Sequence, residues 1–182
     1  MGLKQEIQLI TPHRFNDHRG FLGETYSRRR YVEMGIDVDF VQENHSLSYD
    51  VGTLRGLHFQ APPHAQGKLV RCGNGSIYDV AVDIRQGSPT YGEWQGYELT
   101  SENGHQLYVP VGFAHGFVTL EPDSEIVYKC TDYYAPETEG TLSWDSCGID
   151  WPLNGYPVLS EKDAIAPRLK DFESPFFYGE TS

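Results

Sequence analysis

The chain has 182 residues, enough for one domain with a sizeable core, and carries a formal net charge of −12 at pH 7. That charge argues against nucleic-acid binding through a basic surface, while 14 Lys and Arg residues suffice for one local anion pocket. Cys72, Cys130 and Cys147 are odd in number and form no CxxC pair, which disfavours a disulfide scaffold or zinc ribbon and fits reduced thiols.

Residues 3–10 read as a first strand. The opening segment MGLKQEIQLITPHRF has no signal-peptide core, and no apolar run reaches membrane-spanning length, so the sequence is read as that of a soluble cytoplasmic protein. His13–Gly20 is polar and turn-like, and Phe21–Tyr26 follows as a short strand. Arg28–Met34 reads as one helix, closed by Gly35 just past its end. From Phe40 to Ser143 short strands alternate with turns. In Ile77–Arg85, Tyr78, Val80, Val82 and Ile84 alternate with Asp79, Ala81 and Asp83, the pattern of a half-buried strand. Trp94–Thr100, Gln106–Pro110, Gly116–Leu120 and Glu125–Thr131 continue the series, with GNGS, RQGSPTYG and SENG as turns. From Asp145 onward the chain is irregular and Pro-rich, with one short helix near Ser160–Ala166. Eight or more short strands, with 19 Gly and 11 Pro to turn them, predict an all-β jelly-roll sandwich or barrel with a few short helices. It forms a single domain over residues 1–182, of which 145–182 are an irregular C-terminal extension.

The densest functional signal is LRGLHFQAPPHAQGKLVR, residues 54–71. Two short strands joined by a Pro-Pro turn carry Arg55, His58 and Lys68, residue types suited to an anion clamp, a general base and an oxyanion stabiliser. Strand alternation puts Lys68 on the face of Val70 and Cys72, and Tyr128 on the face of Ile126 and Cys130. Both faces are otherwise apolar, so both side chains point into the barrel, where a lysine is costly unless paired or functional. Arg55 and His58 lie three residues apart, and a regular strand would place them on opposite faces. A bulge or strong twist is needed to bring both into one pocket.

YVPVGFAHGF, residues 108–117, has the Pro-x-Gly-x-x-His spacing of the second cupin motif, where the histidine ligates a metal. The first cupin region here reads His58-Phe59-Gln60, without the second histidine. One histidine cannot hold a metal that needs three or four ligands, so the cupin shape is expected and its metal is not.

Seven segments in order resemble the dTDP-4-dehydrorhamnose 3,5-epimerase family: DHRGFLGETY (17–26), FVQENHS (40–46), LRGLHFQ (54–60), QGKLVR (66–71), VPVGFAHGF (109–117), YKCTDYY (128–134) and LSEKDA (159–164). The resemblance implies a substrate, a dTDP-linked 4-keto-6-deoxy sugar, inverted at C3 and C5, both α to the C4 ketone. It implies His58 as proton acceptor, Asp163 as its orienting carboxylate, Tyr128 as proton donor, and Lys68 and His115 near the sugar. Arg55 matches a pyrophosphate contact. Arg19, Glu24, Gln42, Glu43 and Asn44 match the nucleotide site, partly donated by the neighbouring subunit. Tyr134 matches a tyrosine stacked on thymine, and Glu139 and Lys162 match further ligand contacts. A homodimer with exchanged N-terminal segments is implied as well, with no nucleic acid or membrane partner. The sequence departs from the family pattern at Glu43 (often Asp), Phe59 (often Tyr), Leu47 (often basic) and a slightly long Ser48–Thr53 loop. None of these removes a proposed catalytic group.

The chemistry fits these residue types independently. A histidine suits α-proton abstraction near neutrality, a lysine suits the enolate oxygen, and an acid across the pocket gives inversion. No redox cofactor or metal is required. Two alternatives remain at this stage: an enzyme inverting only C3 or only C5 of a related sugar, and a non-catalytic sugar-nucleotide-binding jelly roll.

Overall fold

The computed structural model describes residues 6–179; the Leu3–Gln5 part of the expected first strand lies outside the described residues. Twelve strands form among the described residues, all antiparallel in their sheets. They are β1 (Gln8–Ile10), β2 (Arg14–Asp17), β3 (Gly20–Gly23), β4 (Gln42–Ser48), β5 (Leu54–Gln60), β6 (Lys68–Asn74), β7 (Ser76–Asp83), β8 (Trp94–Thr100), β9 (Gln106–Val109), β10 (Phe113–Thr119), β11 (Ser124–Cys130) and β12 (Glu139–Thr141). One sheet runs β1-β9-β6-β11-β4, the other β12-β5-β10-β7-β8, and β2-β3 is a separate hairpin. The result is the expected all-β sandwich. Helices are short: α1 (Arg28–Glu33), which Gly35 follows at φ 87°, and α2 (Glu161–Ala164), capped by the Ser160 hydroxyl. No helix among the described residues is long and apolar enough to cross a membrane.

Three apolar clusters explain the layering. Between the sheets lie Val70, Cys72, Ile77, Ala81, Leu99, Leu107, Phe117 and Ile126. Outside the β5-β10-β7 sheet, Leu54, Leu57, Val80, Val82 and Ile84 pack against Trp151, Phe176 and Leu169 of the C-terminal extension. Outside the other sheet, Tyr31 of α1 and Ile36 just after it pack on Leu69 and Tyr108. The extension is thus irregular in backbone but structural in role: it supplies the cover for one sheet.

Three expectations are corrected. β7 is not half-buried: Ile77, Asp79, Val80, Ala81, Val82 and Asp83 are all buried, because the Asp79–Ala81 side that alternation alone would leave to solvent faces the other sheet, while the extension covers the Val80–Val82 side. The polar stretch 13–20 is not merely a turn, since Arg14–Asp17 pairs with Gly20–Gly23. β10 also begins at Phe113, three residues before the expected start.

Candidate active site

Local irregularity in β5 builds the site. His58 faces His115 and Arg55 faces Phe117, so three steps along β5 match two along β10: one extra residue is bulged. The bulge lies at Gly56, whose φ is 128°. A Cβ there would lie 2.6 Å from the Gly116 Cα, so two glycines meet where the strands come closest. The consequence is a shared face for residues three apart. Leu54 and Leu57 both enter the outer apolar cluster. Arg55 and His58 both line one cleft of about 410 Å³, with Lys68, His115, Tyr128, Lys162 and Asp163.

His58 Nε2 donates to Asp163 Oδ1 at 2.6 Å, across 105 residues of sequence. The Asp163 side chain is 3% exposed and its backbone N–H is held by Ser160 Oγ at 3.1 Å. Burial pushes the Asp163 carboxyl up, but the hydrogen bond and charge of His58, then Ser160 and Gly56, together hold it below the ordinary carboxylate value. The pair therefore orients the imidazole and leaves Nδ1 as the nitrogen able to take a proton.

Lys68 and Tyr128 come from the opposite sheet, as their strand phase predicts. Burial among apolar neighbours lowers the Lys68 ammonium, with the charges of Cys130, Asp79 and Glu139 working against the shift. Burial also raises the Tyr128 phenol, so the hydroxyl keeps its proton across the neutral range. Arg55 Nε donates to Ser48 Oγ at 3.1 Å and Nη2 to the Leu47 carbonyl at 3.2 Å. No salt bridge among the described residues involves Arg55 or Lys68. Two cations without a salt bridge in one cleft of an acidic protein suit an anion. No group of three or more metal-binding side chains occurs among the described residues.

With this geometry in place, comparison with known proteins is decisive. The family model for dTDP-4-dehydrorhamnose 3,5-epimerase matches residues 4–171. The chain belongs to that family. A dTDP-4-dehydrorhamnose 3,5-epimerase from Sinorhizobium fredii is 51% identical over 175 residues, covering 95% of this chain and 90% of the relative. A 3,5-epimerase from Legionella pneumophila, solved with dTDP-4-keto-L-rhamnose, superposes with a TM-score of 0.88 at 46% identity, covering 92% of this chain and 89% of that one. A more distant neighbour, a 3′-monoepimerase from Streptomyces bikiniensis solved with dTDP-quinovose, has a TM-score of 0.85 at 32% identity, covering 91% and 84%.

Other residues expected from the family resemblance fall into two groups. Gln42 and Asn44 share the inward face of β4 with Ser46, which lines the cleft, and pair with Cys130 and Tyr128 of β11. The Gln42 amide oxygen accepts the Tyr134 backbone N–H at 2.9 Å. At the cleft mouth Glu139 is shared, taking Lys162 Nζ at 2.6 Å and the Tyr134 hydroxyl at 3.2 Å. Burial raises the Glu139 carboxyl, but Lys162 and Tyr134 outweigh it and leave it lowered.

Three residues are not brought to this epimerase-family cleft within one chain. Glu43 points to the outer face of its sheet and pairs with Lys129, because it alternates with Gln42 and Asn44. Glu24 lines a separate cleft on that outer face, with Glu43 and Lys129, and pairs with Arg30 at 3.0 Å. Arg19 is exposed on the β2–β3 hairpin beside Asp17. Asp79 is the residue that sequence reasoning missed: it is fully buried, with Oδ1 2.8 Å from His115 Nε2. Its regular alternation within β7 marked it as one more solvent-facing carboxylate.

Proposed function

We propose that the protein inverts C3 and C5 of dTDP-4-dehydro-6-deoxy-D-glucose, giving dTDP-4-dehydro-L-rhamnose for dTDP-L-rhamnose biosynthesis. The observation that carries the reading is the His58–Asp163 pair facing Lys68 and Tyr128 across one cleft, in a member of this isomerase family. In this reading His58 Nδ1 removes the proton α to the C4 ketone, and the electron pair moves onto O4. Lys68 stabilises the enolate oxygen. Tyr128, on the opposite wall, returns a proton to the other face of the carbon, and the ketone re-forms inverted. Asp163 remains a carboxylate throughout and stabilises the imidazolium. Arg55 holds the diphosphate, for which its planar donor fork is suited. Gln42, Asn44, Tyr134, Glu139 and Lys162 bind the nucleotide and close the mouth. These steps need no group beyond the side chains.

The test is turnover of dTDP-4-keto-6-deoxyglucose in deuterated water, followed by NMR. Deuterium and inverted configuration are expected at both C3 and C5. The monoepimerase relative makes inversion at a single centre the outcome that would overturn the proposal, and thymidine diphosphate binding without exchange would mark a binding module.

A homodimer and a cytoplasmic location belong to the same proposal. Phe15, Phe21 and Leu22 on the hairpin are 63%, 57% and 74% exposed. A second copy receiving this hairpin would bury them and gain Arg19 and Glu24 beside its own cleft. Gln8–Ile10 is already held by β9 of its own chain, so the exchange falls to the hairpin. The three cysteines are unpaired, as in a reducing compartment. Sedimentation is expected to give a dimer, and a fully active monomer would sink that part of the reading.

A further inference from the structure

The cleft contains a second histidine–aspartate pair. His58 and His115 are Cα partners on adjacent strands, and each presents Nε2 to a buried carboxylate. Asp163 arrives from α2, Asp79 from β7. The second pair is the deeper one, with side chains 8% and 0% exposed for His115 and Asp79. Asp79 sits in the layer between the sheets, flanked along β7 by Ile77 and Ala81 and paired with Phe117 across the ladder. Its Oδ2 is buried with no hydrogen-bond partner among the described residues.

Stability does not account for this arrangement. A carboxylate in an apolar layer is costly, and one oxygen left without a partner adds to the cost. An apolar pair of similar size would serve the fold at least as well. The carboxylate does have two effects on the cleft. It fixes which nitrogen of His115 faces the substrate, because Nε2–H is committed to Oδ1. Its negative charge also reaches Lys68 on the opposite sheet and favours the ammonium form against the burial that lowers it.

We propose that Asp79 is a positioning residue for the epimerisation, acting through His115, whose Nδ1 it turns toward the sugar, and through Lys68, whose charge it sustains for the enolate. The inference rests on the proposed function above. His115 thereby stands as a second oriented imidazole opposite Tyr128 and beside Lys68, while the Asp79 carboxylate exchanges no proton with substrate.

Asp79→Asn keeps the shape and removes the charge. Its kcat is expected to fall at least about 100-fold, with KM and thymidine diphosphate affinity within about threefold of wild type. In a cycle with His115→Asn, the double variant is expected to be little slower than the slower of the two single variants, since one residue acts through the other. Wild-type kcat in Asp79→Asn, or losses that multiply, would overturn the proposal. If the variant does not fold, the wild-type protein decides alone: nitrogen-15 NMR is expected to show His115 protonated at Nε2. A ring protonated only at Nδ1 would refute the inference even where wild-type turnover upholds the proposed function.

Discussion

His58→Ala is expected to lower kcat by up to about 10⁴-fold while thymidine diphosphate affinity stays within about threefold. The separation follows from where the groups sit. In the proposed reading the diphosphate is held by Arg55, which is fixed by Ser48 and the Leu47 carbonyl, and neither contact involves His58. The proposed nucleotide end is Gln42, Asn44, Tyr134 and the Glu139–Lys162 pair, on the opposite sheet and at the mouth. Removing the imidazole therefore leaves the binding groups in place and removes the proton acceptor. It also leaves Asp163 as a carboxylate 3% exposed with its main partner gone, so a modest loss of thermal stability accompanies the loss of turnover. The discriminating readout is deuterium exchange. Both C3 and C5 are expected to stop exchanging, because one base serves both centres. Exchange persisting at one carbon would show that a second group removes that proton, and the single-base reading would fail. Nucleotide binding lost together with turnover would instead make His58 a binding residue.

The sequence carried the fold and most of the cleft because both depend on local pattern. Period-two alternation placed Lys68 and Tyr128 inside, and the three-residue spacing of Arg55 and His58 demanded an irregular strand between them. Gly56 and Gly116 supply that irregularity where their backbones meet. Other features depend on closure over long distances and were not legible. Asp163 pairs with a residue 105 positions away, and only family resemblance pointed to it. Asp79 was hidden by the very alternation that revealed β7. Its pattern reads as a half-buried strand only if one side meets water, and here the Asp79 side faces the other sheet while the C-terminal extension covers the apolar side. The irregular, Pro-rich composition of the extension gives no sign that Trp151, Leu169 and Phe176 roof a sheet. The hairpin was half missed for the opposite reason: Arg14–Asp17 is polar and exposed, so no buried face imprints a period on it.

Lys68→Met is expected to lower kcat about 10²- to 10³-fold and, at the same time, to raise the melting temperature. Both effects come from the same feature, an ammonium held among apolar neighbours without an ion pair. In the proposed mechanism that ammonium meets the negative charge that appears on O4 only as the proton leaves, so its loss is felt in kcat more than in binding. In the resting protein it is a desolvated charge, and an apolar chain of similar length removes the penalty. The pH dependence fixes the sign. Burial lowers the folded-state value below the ordinary 10.5, so the unfolded chain binds more protons in the window between the two. Wild-type stability from this group therefore rises with pH through that window, and the advantage of the variant, full below the folded-state value, shrinks there. Activity moves the other way: the wild-type enzyme loses the Lys68 charge at a pH where an ordinary lysine would keep it, giving an alkaline limb in kcat that the variant lacks. Thermal melts and kcat profiles from neutral to alkaline pH measure both. A variant keeping a tenth of wild-type kcat would remove Lys68 from the enolate site. One that melts lower at neutral pH would show that the buried ammonium is compensated, and that the fold gains from a charge placed here for chemistry.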